Sequence, residues 1–202
     1  MSQEVEGQKV DARKRKFLIA ATSAVGGVAV AGMAVPLVMS MLPSERAKAA
    51  GAPVEVDISK LEPGMMLTVE WRGKPVWVVN RTKEMLDQLG KHDGKLADPN
   101  SEMPQQPDYC KNATRSIKPE YLVAVGICTH LGCSPSEKLK LGGDSGMGSD
   151  WPGGFFCPCH GSTFDLAARV YKGVPAPTNL VIPPHQYLSD ARLLIGVDAK
   201  GA

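Results

Sequence analysis

The hydrophobic pattern splits the chain into one unbroken apolar run and a longer alternating stretch. Residues 1–16 are polar and end in Arg13-Lys14-Arg15-Lys16. Phe17 to Leu42 then carries no charge at all. At about 1.5 Å per residue, that segment as a helix spans roughly 39 Å, enough to cross a hydrocarbon core of about 30 Å with tilt. Ala20, Ala24, Gly27 and Ala31 recur on one face, and Pro36 stands near the far end. Pro43 to Pro53 lacks periodicity and is rich in small residues, which reads either as a passive linker or as a hinge.

From Val54 the pattern turns to period two. Val54–Ile58, Met65–Trp71 and Lys74–Asn80 predict strands, the last two joined by Arg72-Gly73 as a hairpin. Thr82 to Leu89 predicts a short helix, with Thr82 as N-cap and Met85, Leu86 and Leu89 on one face. Residues 90–115 are polar and proline-punctuated, the pattern of a long surface loop. Tyr121–Ile127, Gly153–Phe156, Leu180–Ile182 and Arg192–Val197 complete the predicted strands, and glycine-rich Leu139–Trp151 reads as an insertion. The expectation is an all-β domain of antiparallel sheets over residues 54–202, on a single N-terminal transmembrane helix over residues 17–42.

Composition adds little. The chain has 202 residues, 43% of them hydrophobic, room for one domain and an appendage. A net charge of +2, with no basic stripe interleaved with aromatics, argues against a nucleic-acid partner. The basic flank ahead of Phe17 predicts a cytoplasmic N-terminus and an exported head by the positive-inside rule. Ala47-Lys48-Ala49 has the form of a signal-peptidase site, but the apolar run exceeds the usual signal-peptide length, so a retained anchor is expected. Lys14-Arg15-Lys16-Phe17-Leu18 is similar to a twin-arginine export signal with lysine in the first arginine's place.

The chemistry lies in Cys128-Thr129-His130-Leu131-Gly132-Cys133 and Cys157-Pro158-Cys159-His160-Gly161-Ser162. A zinc finger groups its cysteines together and its histidines together. Here each segment mixes the two types, Cys128-x-His130 and then Cys157-x₂-His160. Two loops, each offering one thiolate and one imidazole, suit a dinuclear cluster clamped from opposite sides, with a zinc module as the rival reading. Cys133 and Cys159 are left over, one per segment. Cys110, beside Asp108, Lys111 and Asn112, reads as a free thiol in a polar loop, and His92 and His185 read as surface residues.

These two boxes resemble those of the Rieske iron–sulfur proteins, and the chain as a whole is similar to the Rieske subunits of proteobacterial ubiquinol–cytochrome c reductases, the cytochrome bc1 complexes. That resemblance implies a Rieske fold with a cluster-binding subdomain at about residues 121–178, a hinge at 43–53 and one [2Fe–2S] cluster per chain. It implies Cys128, His130, Cys157 and His160 as the ligands and a Cys133–Cys159 disulfide. Leu131 would shield the cluster, Ser162 would donate a hydrogen bond to it, and Gly173-Val174-Pro175-Ala176-Pro177 would cover its third side. Many relatives carry a tyrosine where Phe164 stands, so Phe164 keeps the ring and loses the donor.

The implied activity is that of a quinol–cytochrome-c reductase. One electron leaves ubiquinol, with a proton taken by a ligand histidine, and passes to a c-type cytochrome. His130 and His160 are both candidates for the quinol contact, and the resemblance favours His160. Implied partners are a cytochrome b subunit, a cytochrome c1-type subunit, ubiquinol and membrane lipid, in a dimeric complex of the bacterial inner membrane with the Rieske domain periplasmic. The small subunit of a periplasmic arsenite oxidase has similar boxes and stands as the alternative.

Overall fold

The computed structural model describes residues 11–198. It forms two compact units, one ending at Lys48 and one beginning at Ala49. The first holds helix α1, Ala12–Ser40. Asp11 caps it, its carboxylate accepting from the backbone N–H of Arg13 (2.9 Å) and Lys14 (3.3 Å). That cap starts the helix five residues before the expected apolar run and draws the basic cluster into the first turn. From Phe17 on the helix is apolar all round, it has no buried residue, and by length and composition it can cross a membrane. A short helix α2 follows at Glu45–Ala50, inside the expected linker.

The second unit contains three antiparallel three-stranded sheets. The central one pairs β2 (Met66–Trp71), β3 (Lys74–Asn80) and β4 (Tyr121–Val125); another orders β1 (Val54–Asp57), β9 (Arg192–Ile195) and β8 (His185–Ser189). The third joins β5 (Ser136–Lys138), β6 (Gly154–Phe156) and β7 (Thr163–Phe164). The β2–β3 hairpin turns through Arg72 and Gly73 at φ +53° and +69°, the doubly left-handed geometry that a two-residue hairpin favours. Helix α3, Lys83–Gln88, starts at Thr82, whose hydroxyl accepts from Met85 N–H at 3.2 Å.

Strand β3 explains the layering. Its sequence is apolar at successive positions because both faces are covered. Val76 and Val78, with Val123 and Val125 of β4, pack on Val56, Leu193 and Ile195 of the β1–β9–β8 sheet. Trp77 and Val79, with Leu122 and Ala124, face the other way onto Phe155, Phe164, Cys128 and Cys157. One central sheet thus separates a plain hydrophobic core from the core that carries the two boxes.

Several expectations are corrected. Leu180–Ile182 is not a strand, because its backbone bonds go to separate partners: Leu180 N–H to Ala168 O, Ile182 N–H to Gln105 O, and Val181 O from Val125 N–H. The closing hairpin is β8–β9, and β8 begins at His185, a residue expected at the surface that is 1% exposed. Its ring Nδ1 lies 2.8 Å from Pro183 O and its Nε2 has no partner, so burial lowers its pKa. Residues 90–115 are not a surface loop throughout: Leu96, Ser101, Cys110 and Arg115 are fully buried. Cys110 is free, as expected, but sits in the core, and burial pushes its thiol up to about 12. His92 is half-buried.

The insertion between boxes is tied off at its base. Lys138 pairs with Gly154, and Trp151 Nε1 donates to Lys138 O at 2.8 Å. Within it Gly142 N–H donates to Trp151 O at 2.7 Å, and Ser145 Oγ to Gly142 O at 2.6 Å.

Candidate metal centre

Box one follows β4 and box two follows β6, and both fold by the same local rule. Cys128 N–H donates to Cys133 O (2.8 Å), while Gly132 N–H donates back to Cys128 O (3.0 Å). Cys157 N–H donates to Ser162 O (2.7 Å), while Gly161 N–H donates back to Cys157 O (2.9 Å). Closing so tight a loop takes a left-handed residue fifth in each, and Gly132 (φ +84°) and Gly161 (φ +79°) supply it.

These loops set Cys128 and Cys157 inward and the histidines outward. Cys128 and Cys157 are buried and unbridged; His130 is half-buried and His160 exposed. The two imidazoles meet edge to face, centroids 4.7 Å apart at 87°. His130 Nδ1 is buried without a hydrogen-bond partner. Cys133 and Cys159 form a disulfide between the boxes, and the sulfurs of Cys133, Cys157 and Cys159 lie within 4.8 Å of one another. With the bridge removing two thiols, the donors on offer are Cys128, Cys157, His130 and His160.

The electrostatics match a site built to be filled. Burial raises the Cys128 pKa, and the neighbouring Cys157 thiol raises it further; the His130 backbone N–H and the Ser162 hydroxyl beside the sulfur pull it down. A buried cysteine sulfur packs as a small apolar group, so the atom that calls for a partner here is the orphaned His130 Nδ1. A cation or cationic cluster would satisfy that nitrogen and take both sulfurs as thiolates, so the residues present fit a two-thiolate, two-imidazole group.

The expected accessory residues lie around this point. Leu131 is 71% exposed beside the histidines. Ser162 is fully buried, and its Oγ accepts from Ala176 N–H at 3.0 Å. That bond ties the Gly173–Pro177 segment to box two; Gly173, Pro175 and Pro177 face solvent while Ala176 points in. Phe164 is fully buried opposite Phe155 in the β6–β7 pair.

Sequence reasoning passed over several supports. Thr129 Oγ1 donates to Thr178 O at 2.7 Å, tying the chain just past the Gly173–Pro177 segment to box one as well. Trp77 stacks on Phe155 at 4.8 Å and abuts Gly126, so it braces the strands entering both boxes. Asn179 is fully buried, its Oδ1 accepting from Val170 N–H (2.8 Å) and its Nδ2 donating to Asp98 O (3.0 Å). Thr129 stood inside a flagged motif, which is a usable signal; the other residues had none.

Comparison with known proteins decides between cluster and zinc. A family model described as the Rieske [2Fe-2S] domain matches residues 53–184. The chain belongs to the Rieske family. Its cofactor is accordingly a [2Fe–2S] cluster. A second model, described as the ubiquitinol-cytochrome C reductase Fe-S subunit TAT signal, matches residues 5–44. A Rieske protein of Allochromatium vinosum, named ubiquinol-cytochrome c reductase iron-sulfur subunit, is 66% identical over 198 residues, covering 98% of this chain and 95% of that one. One of the same name from Blastochloris viridis is 42% identical over 187 residues, 92% of this chain and 94% of its own. Among solved structures, a chain of a hyperthermophilic respiratory Complex III is 29% identical, with a TM-score of 0.47 over 88% of this chain and 98% of that one.

Proposed function

We propose that this chain is the electron-transfer iron–sulfur subunit of a respiratory ubiquinol–cytochrome c reductase. The observation that carries the reading is the near full-length identity to the Allochromatium vinosum subunit of that name. It favours the respiratory enzyme over an arsenite oxidase.

Cys128, His130, Cys157 and His160 hold the cluster, and the Cys133–Cys159 bridge keeps the two loops from parting. When bound, the cluster supplies a one-electron couple whose potential histidine ligation raises above that of all-cysteine clusters. The protein's own residues do the rest. Buried Cys128 and Cys157 keep the inner side dry, and the covering segment, held by Ser162 and, just past its end, by Thr129, closes a further side. His160 is exposed, so its outward ring nitrogen can accept the quinol hydroxyl's hydrogen bond and then its proton. Leu131, apolar and exposed beside it, gives the quinol ring a surface from which water is shed. His130 is more enclosed, which favours His160 for the quinol contact.

Helix α1 anchors the subunit, with Arg13 to Lys16 on the cytoplasmic side and the Rieske domain periplasmic. Residues 43–53 are the hinge on which the head moves between a cytochrome b subunit, where ubiquinol is oxidised, and a cytochrome c1-type subunit, within a dimeric complex. The test is an EPR spectrum of ascorbate-reduced membranes, with and without a quinol-site inhibitor, alongside metal analysis and the intact mass of the subunit. Two irons and two acid-labile sulfides per chain, a signal that the inhibitor shifts, and a mass that retains the N-terminal region are expected. One zinc with no labile sulfide would end the reading.

A further inference from the structure

Three arginines are buried behind box two: Arg81 (2% exposed), Arg115 (0%) and Arg169 (2%). One buried carboxylate, Asp165, stands among them. Arg169 takes it, Nε and Nη2 each 2.8 Å from Oδ2, with Nη1 donating to Pro99 O at 3.0 Å. Asp93, half-exposed, adds a second ion pair to Arg169 at 3.0 Å. Arg169 is thus neutralised.

Arg81 and Arg115 have no hydrogen-bonded carboxylate, although Asp165 acts on both through space. Every hydrogen bond of their guanidinium groups goes to an uncharged oxygen. Arg81 donates to Thr114 O (2.9 Å), Leu166 O (3.0 Å), Ser116 Oγ (2.8 Å) and Pro119 O. Arg115 donates to Ala167 O (3.2 Å), Ala168 O (3.0 Å), Leu180 O (2.9 Å) and Gln106 Oε1 (2.8 Å). Each Nε is buried with no partner. Burial lowers both groups to about 10, which still leaves them charged at neutral pH.

Such an arrangement is expensive for stability alone. Apolar residues of similar volume often replace buried charges at no loss. The placement suggests another use. The two forks grip three consecutive carbonyls, 166 to 168, of the segment leaving box two. Leu166 is four residues beyond Ser162, whose hydroxyl is near enough to the Cys128 sulfur to lower its pKa. Five extended residues span at most ~16 Å, and with the side chain, carbonyl and hydrogen bond at each end both guanidinium groups lie within ~27 Å of that sulfur; a unit charge at ~27 Å in an effective dielectric of ~20 shifts a one-electron equilibrium about threefold.

We propose that Arg81 and Arg115 are fixed buried positive charges that hold the exit of box two and raise the reduction potential of the cluster; this rests on the cluster assignment above. They are positioning residues that touch neither quinol nor the ligands.

The test is an EPR-monitored redox titration of membranes carrying the full-length protein. Arg115→Gln and Arg81→Gln should each shift the equilibrium about threefold toward the oxidised form, about 30 mV. Asp165→Asn, which removes the opposing charge, should shift it the other way. Arg115→Lys, which keeps charge and loses the fork, should melt earlier with its potential unchanged. Opposite signs for the arginine and aspartate variants are what a purely structural lesion cannot give. Shifts of one sign, no shifts, or a Lys variant that falls as far as the Gln variant would overturn the proposal. If Arg115→Gln fails to accumulate, Asp165→Asn and Arg115→Lys decide by the same criteria. Wild-type membranes without the Rieske signal would remove the cluster assignment itself, an outcome distinct from unshifted potentials.

Discussion

Gly126→Ala tests how the two boxes are braced. Gly126 lies two residues before Cys128, and a Cβ built there would sit 2.6 Å from Trp77 Nε1 and nearer still to Cε2 and Cζ2. Ordinary carbon contacts are about 3.5–4.0 Å, so the indole must retreat by about 1 Å. It has little room: Trp77 is 3% exposed and stacked on fully buried Phe155, two residues before Cys157. Overpacking of a tight core costs about 1–3 kcal/mol, and overlap with three ring atoms puts this change near the top of that range. At about 2–4 °C per kcal/mol for a domain of this size, the melting temperature should fall by roughly 6–12 °C. Because the strain lands on the strands entering both boxes, cluster content should fall with it. The assay is thermal unfolding of the purified full chain in detergent by circular dichroism, with iron content measured in parallel. Trp77→Leu removes the ring atoms that collide, so Gly126→Ala should cost little in that background. A favourable coupling of about 1–3 kcal/mol is expected from the double-mutant cycle. A single mutant that melts with the wild type, or strict additivity, would refute the brace.

Other expectations concern the bridge, the hydroxyl groups and the buried histidine. Cys133→Ser should cost about 3.5 kcal/mol in the chain-entropy model for a sequence separation of 26, and thiol counting on denatured, cluster-free wild type should find three: Cys110, Cys128 and Cys157. Ser162→Ala removes a donor to the Cys128 sulfur; the reduced cluster is the more negative form and loses more, so the potential should drop by roughly 40–60 mV in voltammetry. Phe164→Tyr should raise it by roughly the same amount, and an unmoved potential with the fold intact would mean that position 164 does not face a ligand. His185 has its pKa lowered by burial, so the unfolded chain binds its proton first. That contribution to stability is present above about pH 6.5 and is lost as pH falls through the window below it. His185→Gln should flatten the pH dependence of urea unfolding there, and an unchanged slope would count against it.

What the sequence revealed and what it hid divide along physical lines. Strand β3 was read to the residue because a run covered on both faces is continuously apolar and bounded by Gly73 and Asn80. Both boxes were legible because their chemistry is local, each donor within a few residues of the next. Arg115 was not legible, because three of its four partners lie 52 to 65 residues away and are backbone carbonyls, which every sequence has. Strand β8 was missed because His185, Gln186 and Ser189 are polar; its existence depends on pairing with β9. Leu180–Ile182 looked like a strand because it is apolar, but it owes its burial to the core beside the boxes rather than to a ladder.

The tied-off insertion between the boxes has a consequence for variation and for engineering. With Lys138 paired to Gly154 and Trp151 clipped to Lys138, the segment from Leu141 to Asp150 hangs outside a closed neck. Residues added or lost beyond that neck change the loop and leave its ends where they were, and lengthening a loop costs only about 0.6 kcal/mol per doubling. Changes of length there should therefore leave the spacing inside each box undisturbed. The same neck makes exposed Gly148 and Ser149 a natural graft point for an affinity tag or a spin label.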